Sequence, residues 1–442
     1  MSLKLNFNDI GVWVYLDNFN PWWKNGQVPS YAVGRKRKIF GDILTYFDTR
    51  QILLITGLRR VGKTTLMHQI IQHLLTVNIN PFHILYFSFD EAKQEPDLLL
   101  RQFEIDILKK DIQDETVFIF FDEIQKLKDW EAKIKVVYDR HPRMKIVLSG
   151  SAQMKMWRGA RESLAGRFFD VTVQPLNFDE YLEFKEIYID KGRERIFEKE
   201  IRRHFLDYLR SGGFVEALNF NEVLLRKYIR ESLLERVVFI DIPQSFRIDS
   251  PELLFKILEI AANRPGLYLD YKNLANDIGV DQRTIAGYVA CLESALLCQK
   301  LYNFSRNLLT SEKKIKRIYL SNTAFTNALS PGTDVSQLFE QHFINRLNGR
   351  FFWRDVQKNE VDLVFHVEPA ILPIEIKMRE KIEKNDLKGL FKFMGKYEQE
   401  SGILITLNTE ALYEKENKKI TAIPYWQYWT LEKEINARMQ IN

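Results

Sequence analysis

Cysteine is almost missing from this chain. Cys291 and Cys298 are the only two in 442 residues, too few for a disulfide framework or a zinc site. They fall in one helical pattern and are expected to face the same core. Long apolar runs are missing as well. None approaches the ~18 residues of a membrane-spanning helix. The first residues also lack the apolar stretch of a secretory signal. A disulfide-stapled secreted scaffold and a helical membrane protein are thereby excluded. The expectation is a cytoplasmic chain with no membrane partner. Neither sign of charge dominates: 64 Lys and Arg stand against 59 Asp and Glu, a net charge of +5. That balance admits a nucleic-acid partner without demanding one. With 45% apolar and 13% aromatic residues, the chain can build sizeable cores, and its length suits two to four domains.

The most informative stretch is Gly57-Leu58-Arg59-Arg60-Val61-Gly62-Lys63-Thr64-Thr65. It fits the phosphate-binding pattern of two glycines with four residues between them, followed by Lys and Thr. The apolar run Ile52–Ile55 before it reads as a buried strand. Leu66–Leu75 after it has apolar residues at helical spacing. Strand, glycine loop and helix form a cradle, because glycines let the backbone N–H groups turn inward and the helix start adds its own. Lys63 is placed to reach the β- and γ-phosphates, and the Thr64 hydroxyl to ligate Mg2+. Thr116-Val-Phe-Ile-Phe-Phe-Asp122-Glu123 is an apolar strand ending in two carboxylates. Asp122 is expected in the Mg2+ shell and Glu123 beside the attacking water. No Asn-Lys-x-Asp guanine signature is present, which favours ATP. Lys145–Ser151 reads as a further strand whose Ser149 or Ser151 senses the γ-phosphate, Ser151 being preferred. Alternating strands and helices predict an α/β sheet with these residues at its carboxyl ends.

The order of Gly57–Thr65, Phe120-Phe-Asp-Glu-Ile-Gln125, Ser149-Gly-Ser151 and Ser163-Leu-Ala-Gly-Arg167 resembles the uncharacterised bacterial and archaeal AAA+-type ATPases that carry a C-terminal DUF4143 domain. Asn20-Pro-Trp-Trp23 and Gln174–Tyr181 share in the resemblance, which covers most of the chain. It implies an ASCE-class P-loop nucleotide switch, often a homo-oligomer, using ATP and Mg2+. It also implies Arg167 as an arginine finger or sensor, with Arg158 and Arg161 competing for that role. Residues 1–33 are read as a packing segment with Trp22 and Trp23 as buried anchors, and residues 34–175 as the ATPase domain. Arg35–Lys38 is expected to begin a helix, and another is expected from about Pro96 to Lys110. Residues 176–248 are read as a helical lid.

Two further signals follow. Leu274–Val289 has helix–turn–helix phasing, with Gly279-Val280 in the turn and Asp281–Thr284 opening a recognition helix. Residues 249–310 are therefore predicted to be a winged helix. Residues 311–442 are predicted to be a restriction-endonuclease-like domain. There Asp362 and Glu375-Ile-Lys377 resemble the PD-(D/E)xK core, with Glu340 as the helical acid. Strand geometry places Glu375 and Lys377 on one face. The carboxylates would hold metal and Lys377 would activate water against a phosphodiester. Two functions stay open: a Mg2+-dependent ATPase acting on DNA through these domains, or an ATP-controlled protein-interaction switch whose nuclease-like domain is catalytically inactive.

Overall fold

The computed structural model describes residues 13–150, 164–190, 192–368 and 370–427, with Leu431 and Ile435 beyond them. The chain divides into two compact units. One is Met1–Glu180 with Phe214–Glu216, the other Tyr181–Gly213 with Ala217–Asn442.

The first unit is built on largely apolar strands. These are β1 (Ile52–Gly57), β2 (Ile84–Ser88), β3 (Val117–Asp122), β4 (Met144–Ser149) and β5 (Phe168–Val173). Strands β1 to β4 are buried along nearly their whole length, and the edge strand β5 is partly exposed. Apolar residues on both faces suit a parallel sheet covered on both sides. The sheet is parallel throughout, in the order β2-β3-β4-β1-β5. The loop-bearing strand β1 and the acidic strand β3 therefore do not touch, because β4 lies between them. Helix α1 (Lys63–Thr76) buries Leu66, Met67, Ile70, Ile71 and Leu74, the 3.6-residue stripe that docks it on the sheet. Helix α2 (Trp130–Arg140) buries Trp130, Ile134, Val137 and Tyr138.

The exposed edge of β2 is closed by the aromatic segment. Asn20 accepts from the Tyr86 N–H at 2.7 Å and donates to the Tyr86 carbonyl at 3.0 Å. The Trp22 and Trp23 indoles both donate to the Ile84 carbonyl. An open strand edge is thus capped by side chains. Arg35–Lys38 precedes its helix rather than beginning it: the helix runs Ile39–Leu44. The segment after Pro96 is α-helical only to Gln102, then widens through Phe103–Leu108 and stops at Lys109, which has positive φ.

In the second unit, helix α3 (Glu198–Ser211) buries Ile201, Phe205, Tyr208 and Leu209. Helix α4 (Pro251–Asn263) follows, then β6 (Leu267–Leu269), α5 (Tyr271–Ile278), α6 (Gln282–Ser294), β7 (Cys298–Asn303) and β8 (Lys316–Leu320). Gly279 closes α5 in the left-handed conformation, and Asp281 caps α6 by accepting from the Arg283 amide. Cys291 lies on α6 but Cys298 opens β7; both are buried, from different elements. Helix α7 (Val335–Arg346), β9 (Phe351–Arg354), β10 (Glu360–Val367), β11 (Ala370–Lys377), helix α8 (Lys388–Tyr397), β12 (Ser401–Thr406), β13 (Ala411–Lys415) and β14 (Lys418–Pro424) complete the unit. All nine strands form one sheet, β13-β14-β12-β11-β10-β9-β7-β8-β6. The boundary expected at residue 310 therefore falls inside a continuous sheet: β7 pairs with β8 on one side and with β9 on the other.

Candidate functional site

The glycine loop leaves β1 at Gly57, whose φ is +145° and where an added Cβ would lie 2.3 Å from the Val173 carbonyl oxygen of β5. Only glycine fits that approach. Gly62, at φ +90°, turns the chain into α1. Leu58 and Val61 are buried, so the loop's apolar residues anchor it inward. Arg60 takes positive φ and pairs with Glu216. The first intrahelical bond runs from the Leu66 amide to Gly62, so the amides ahead of it take no part in the helix's own bonding ladder. Lys63 is buried, and its ammonium donates to the loop's own Gly57 and Leu58 carbonyls at 3.3 and 2.9 Å. A cation is thus held at the cradle by weak neutral acceptors that an anionic phosphate would outcompete.

Asp122 is the hub. It is 2% exposed and ends β3. Its Oδ2 accepts from the Thr64 hydroxyl at 2.6 Å and the Tyr86 hydroxyl at 2.9 Å. Its Oδ1 accepts from the Ser149 hydroxyl and, at 3.0 Å, from the Glu123 amide. Four strands' worth of residues meet here because β4 stands between β1 and β3 and brings Ser149 into the gap. Thr64 and Asp122 form a pair of hard oxygen donors in direct contact, the donor set that Mg2+ takes. Burial and the Asp122 carboxylate push the Tyr86 hydroxyl well above its ordinary range, and burial lowers the His68 imidazole, which stacks on Tyr86 at 4.8 Å. Glu123 adopts φ +52°, and its carboxylate accepts from the Gln125 amide group. A left-handed non-glycine residue stores about 1–2 kcal/mol. Here it turns the chain at the strand end, directly after the hub.

Arg37 adds a tether. Its guanidinium donates to the Val61 carbonyl of the loop at 3.2 Å and to the Gln174 carbonyl at 2.7 Å, and pairs with Glu180 at 2.8 Å. That pairing and burial oppose each other at Glu180, and its carboxyl ends below its usual range. Of the expected sensors, Ser149 is in the hub, whereas Ser151, Arg158 and Arg161 lie outside the described residues. Arg167 sits at the other end of the sheet. It immediately precedes β5, its carbonyl accepts from the Ile52 amide, and its side chain pairs with Asp139 at 3.0 Å. With Ile52 opposite Phe168 and Gly57 opposite Val173, Arg167 is ~20 Å down the strand from its own loop. It does not join that site within one chain.

The four expected nuclease residues do come together in the second unit, but with cations among them. Lys377 pairs with Glu375 at 2.5 Å and with Asp362 at 3.6 Å. Arg317, 8% exposed on β8, pairs with Glu340 at 2.9 Å and with Asp362 at 3.6 Å, and donates to the Gly266 carbonyl. Tyr319 donates to Glu340 at 2.6 Å, and the Ile376 amide to Asp362 at 3.0 Å. Burial and the Asp362 carboxylate push Glu375 up to about 8 and raise Glu340, against the pull of Lys377 and Arg317. Two internal cations already satisfy these acids. Among the described residues, no three acidic, His or Cys side chains are grouped to hold a metal ion. The residues therefore do not fit the metal that the PD-(D/E)xK resemblance implies.

Residues 49–182 match the family described as AAA domain; residues 202–336 match a domain of unknown function (DUF8612); and residues 335–428 match another (DUF4143). The parallel sheet with its glycine loop thus lies within the stretch that matches the AAA domain, and strands β9 to β14 lie within the stretch that matches DUF4143. Among curated relatives it is 29% identical over 298 residues to Uncharacterized protein MJ1637 of Methanocaldococcus jannaschii, covering 61% of this chain and 60% of that protein. It is 23% identical over 428 residues to MJ1544 of the same organism, covering 91% of this chain and 93% of that protein. Among solved structures, AMPPCP-bound DnaA from Aquifex aeolicus aligns with 62% of this chain and 92% of its own, at 14% identity and a TM-score of 0.31. Among the described residues, no helix is long and apolar enough to cross a membrane.

Proposed function

We propose that the protein is a Mg2+-dependent ATPase whose hydrolysis drives its second unit, and that the second unit holds a partner rather than cutting nucleic acid. The observation that carries the first half is the contact of Thr64 with Asp122 beside the Lys63 cradle. ATP would place its phosphates on the loop amides between Gly57 and Thr65, drawing the Lys63 ammonium off the Gly57 and Leu58 carbonyls. Thr64 and Asp122 would hold Mg2+, which supplies charge neutralisation at the transferred phosphoryl group. Tyr86 and Ser149 orient the Asp122 carboxylate, and Glu123 accepts a proton from the attacking water. Arg167, too far from its own loop, acts on the loop of a second copy, so turnover needs a homo-oligomer.

The second half rests on Arg317 and Lys377, which pair with Glu340, Asp362 and Glu375. The order α4-β6-α5-α6-β7-β8 supports a winged helix within this unit, and Gln282 and Arg283 are exposed at the start of its second helix. The test is Mg2+-dependent phosphate release by wild type beside Lys63→Ala and Arg167→Ala. Lys63→Ala should lose nucleotide binding. Arg167→Ala should bind nucleotide and not turn over, and mixing it with Lys63→Ala should restore part of the activity. Equal turnover by all three proteins overturns the reading.

A further inference from the structure

We infer that a groove on the second unit binds single-stranded nucleic acid, taking phosphates on Arg306 and Arg350 and base faces on the apolar surface between them. The groove encloses about 590 Å3, within the ~300–1,000 Å3 range of ligand sites. Its walls come from the connection between β7 and β8, the turn into β9, and the end of β10.

Its cations are uncommitted. Arg306 donates to the Tyr397 carbonyl at 3.1 Å, and Arg350 lies over the Tyr302 and Phe351 rings at 5.7 and 5.5 Å. Among the described residues neither pairs with a carboxylate, whereas Arg317 and Arg354 of the same sheet are paired with Glu340 and Glu360. Lys314 extends the basic surface from the same connection. Burial pushes its ammonium down, and the neighbouring Lys396 pushes it further. Among the described residues, Glu368 is the one carboxylate lining the groove. Glu312 faces Lys316, which itself lies over Tyr302.

The groove is also apolar where it meets solvent. Leu308 and Leu309 are 54% and 73% exposed, next to Arg306. One guanidinium over aromatic rings and a second beside exposed aliphatic side chains match a single strand, which offers alternating phosphates and base faces. A duplex hides its base faces and would leave the leucines unused. Binding here does not depend on ATP hydrolysis, so the two readings fail separately.

The experiment is fluorescence anisotropy of a labelled oligo-dT of ~20 nucleotides with the full chain, at about 50 and 200 mM salt. Wild type should bind, and more weakly at the higher salt. Arg306→Ala/Arg350→Ala should weaken binding by about 10-fold or more, and Leu308→Ser/Leu309→Ser should weaken it independently. Both variants should keep the wild-type unfolding midpoint and rate of ATP turnover. The inference is overturned if wild type does not bind, if the arginine variant binds as tightly, or if a duplex of equal length binds as well. Phosphatidylserine vesicles that bind through Arg306 and Arg350 while oligo-dT does not would also overturn it, assigning the groove to a membrane surface.

Discussion

Replacing Arg317 by Met should unfold the second unit more readily than any surface change. The guanidinium is 8% exposed and bridges Glu340, Asp362 and the Gly266 carbonyl. Met keeps much of the volume, so the loss is electrostatic rather than a cavity. Glu340 and Asp362 would then share only Lys377, 3.6 Å from Asp362. Removing one partner of a buried pair costs about 3–5 kcal/mol, because a buried charge is left uncompensated. Equilibrium urea unfolding, followed by circular dichroism and tryptophan fluorescence, measures it. The exposed Arg350→Met is the control, expected within about 0.5 kcal/mol of wild type. Adding Glu340→Gln to Arg317→Met should recover part of the loss, because one stranded carboxylate is gone. A loss below about 1 kcal/mol for Arg317→Met would refute the buried-pair reasoning. So would a rise in the wild-type midpoint on adding Mg2+ or Mn2+ without nucleotide that disappears in Glu340→Gln, since the acids would then be metal ligands.

Three other expectations follow from the same geometry. Gly57→Ala should abolish nucleotide binding or soluble folding, because its Cβ would meet the Val173 carbonyl oxygen at 2.3 Å; a fluorescent ATP analogue titration decides it, and wild-type affinity would contradict the close approach. Tyr86→Phe removes one of two donors to Asp122 Oδ2. At about 1.5 kcal/mol for a bond to a charged acceptor, turnover should fall roughly tenfold with little change in fold; unchanged Mg2+ dependence and rate would remove Tyr86 from the site. Glu375, pushed up to about 8 by burial and the neighbouring Asp362 carboxylate, holds its proton in the folded chain where the unfolded chain has lost it. Its contribution to stability is therefore full below the ordinary carboxylate range and lost as pH rises through about 8. Urea midpoints should fall from pH 5 to pH 8 in wild type and flatten in Glu375→Gln; parallel profiles would refute the shift.

Much of the candidate site's backbone geometry was legible because its signal is local. The pattern from Gly57 to Thr65 carries its own backbone geometry, and an apolar strand ending in Asp122-Glu123 announces a sheet's carboxyl end. Tyr86, Ser149's bond to Asp122, and His68 depend on strand order. That order becomes readable only once β4 is seen between β1 and β3. Tyr86 looked like any apolar-strand aromatic, and nothing in its neighbours marks the hydroxyl. Asn20 and the two indoles were readable as anchors, but not as the cap of the β2 edge, which is a contact across more than sixty residues. In the second unit, alternation along Glu375-Ile-Lys377 correctly put the acid and the base on one face. Arg317 was missed because one arginine in Lys314-Ile-Lys-Arg317 resembles a solvated basic run. Only the antiparallel pairing of β8 with β6 and β7 buries it against Glu340. The expected boundary at residue 310 missed for a related reason: the turn-rich connection after β7 looks like a linker, yet β8 returns to the same sheet.

Hydrolysis of ATP with Mg2+ by the strand-end acids and the glycine loop is the activity proposed for this chain. Its most direct measurement is phosphate release by wild type and Glu123→Gln, with and without Mg2+, beside ATP-analogue affinity for both. Mg2+-dependent release is expected from wild type only, and comparable affinity from both, because Thr64, Asp122 and Lys63 are untouched. Release by Glu123→Gln at the wild-type rate, or by wild type in the absence of Mg2+, would contradict it.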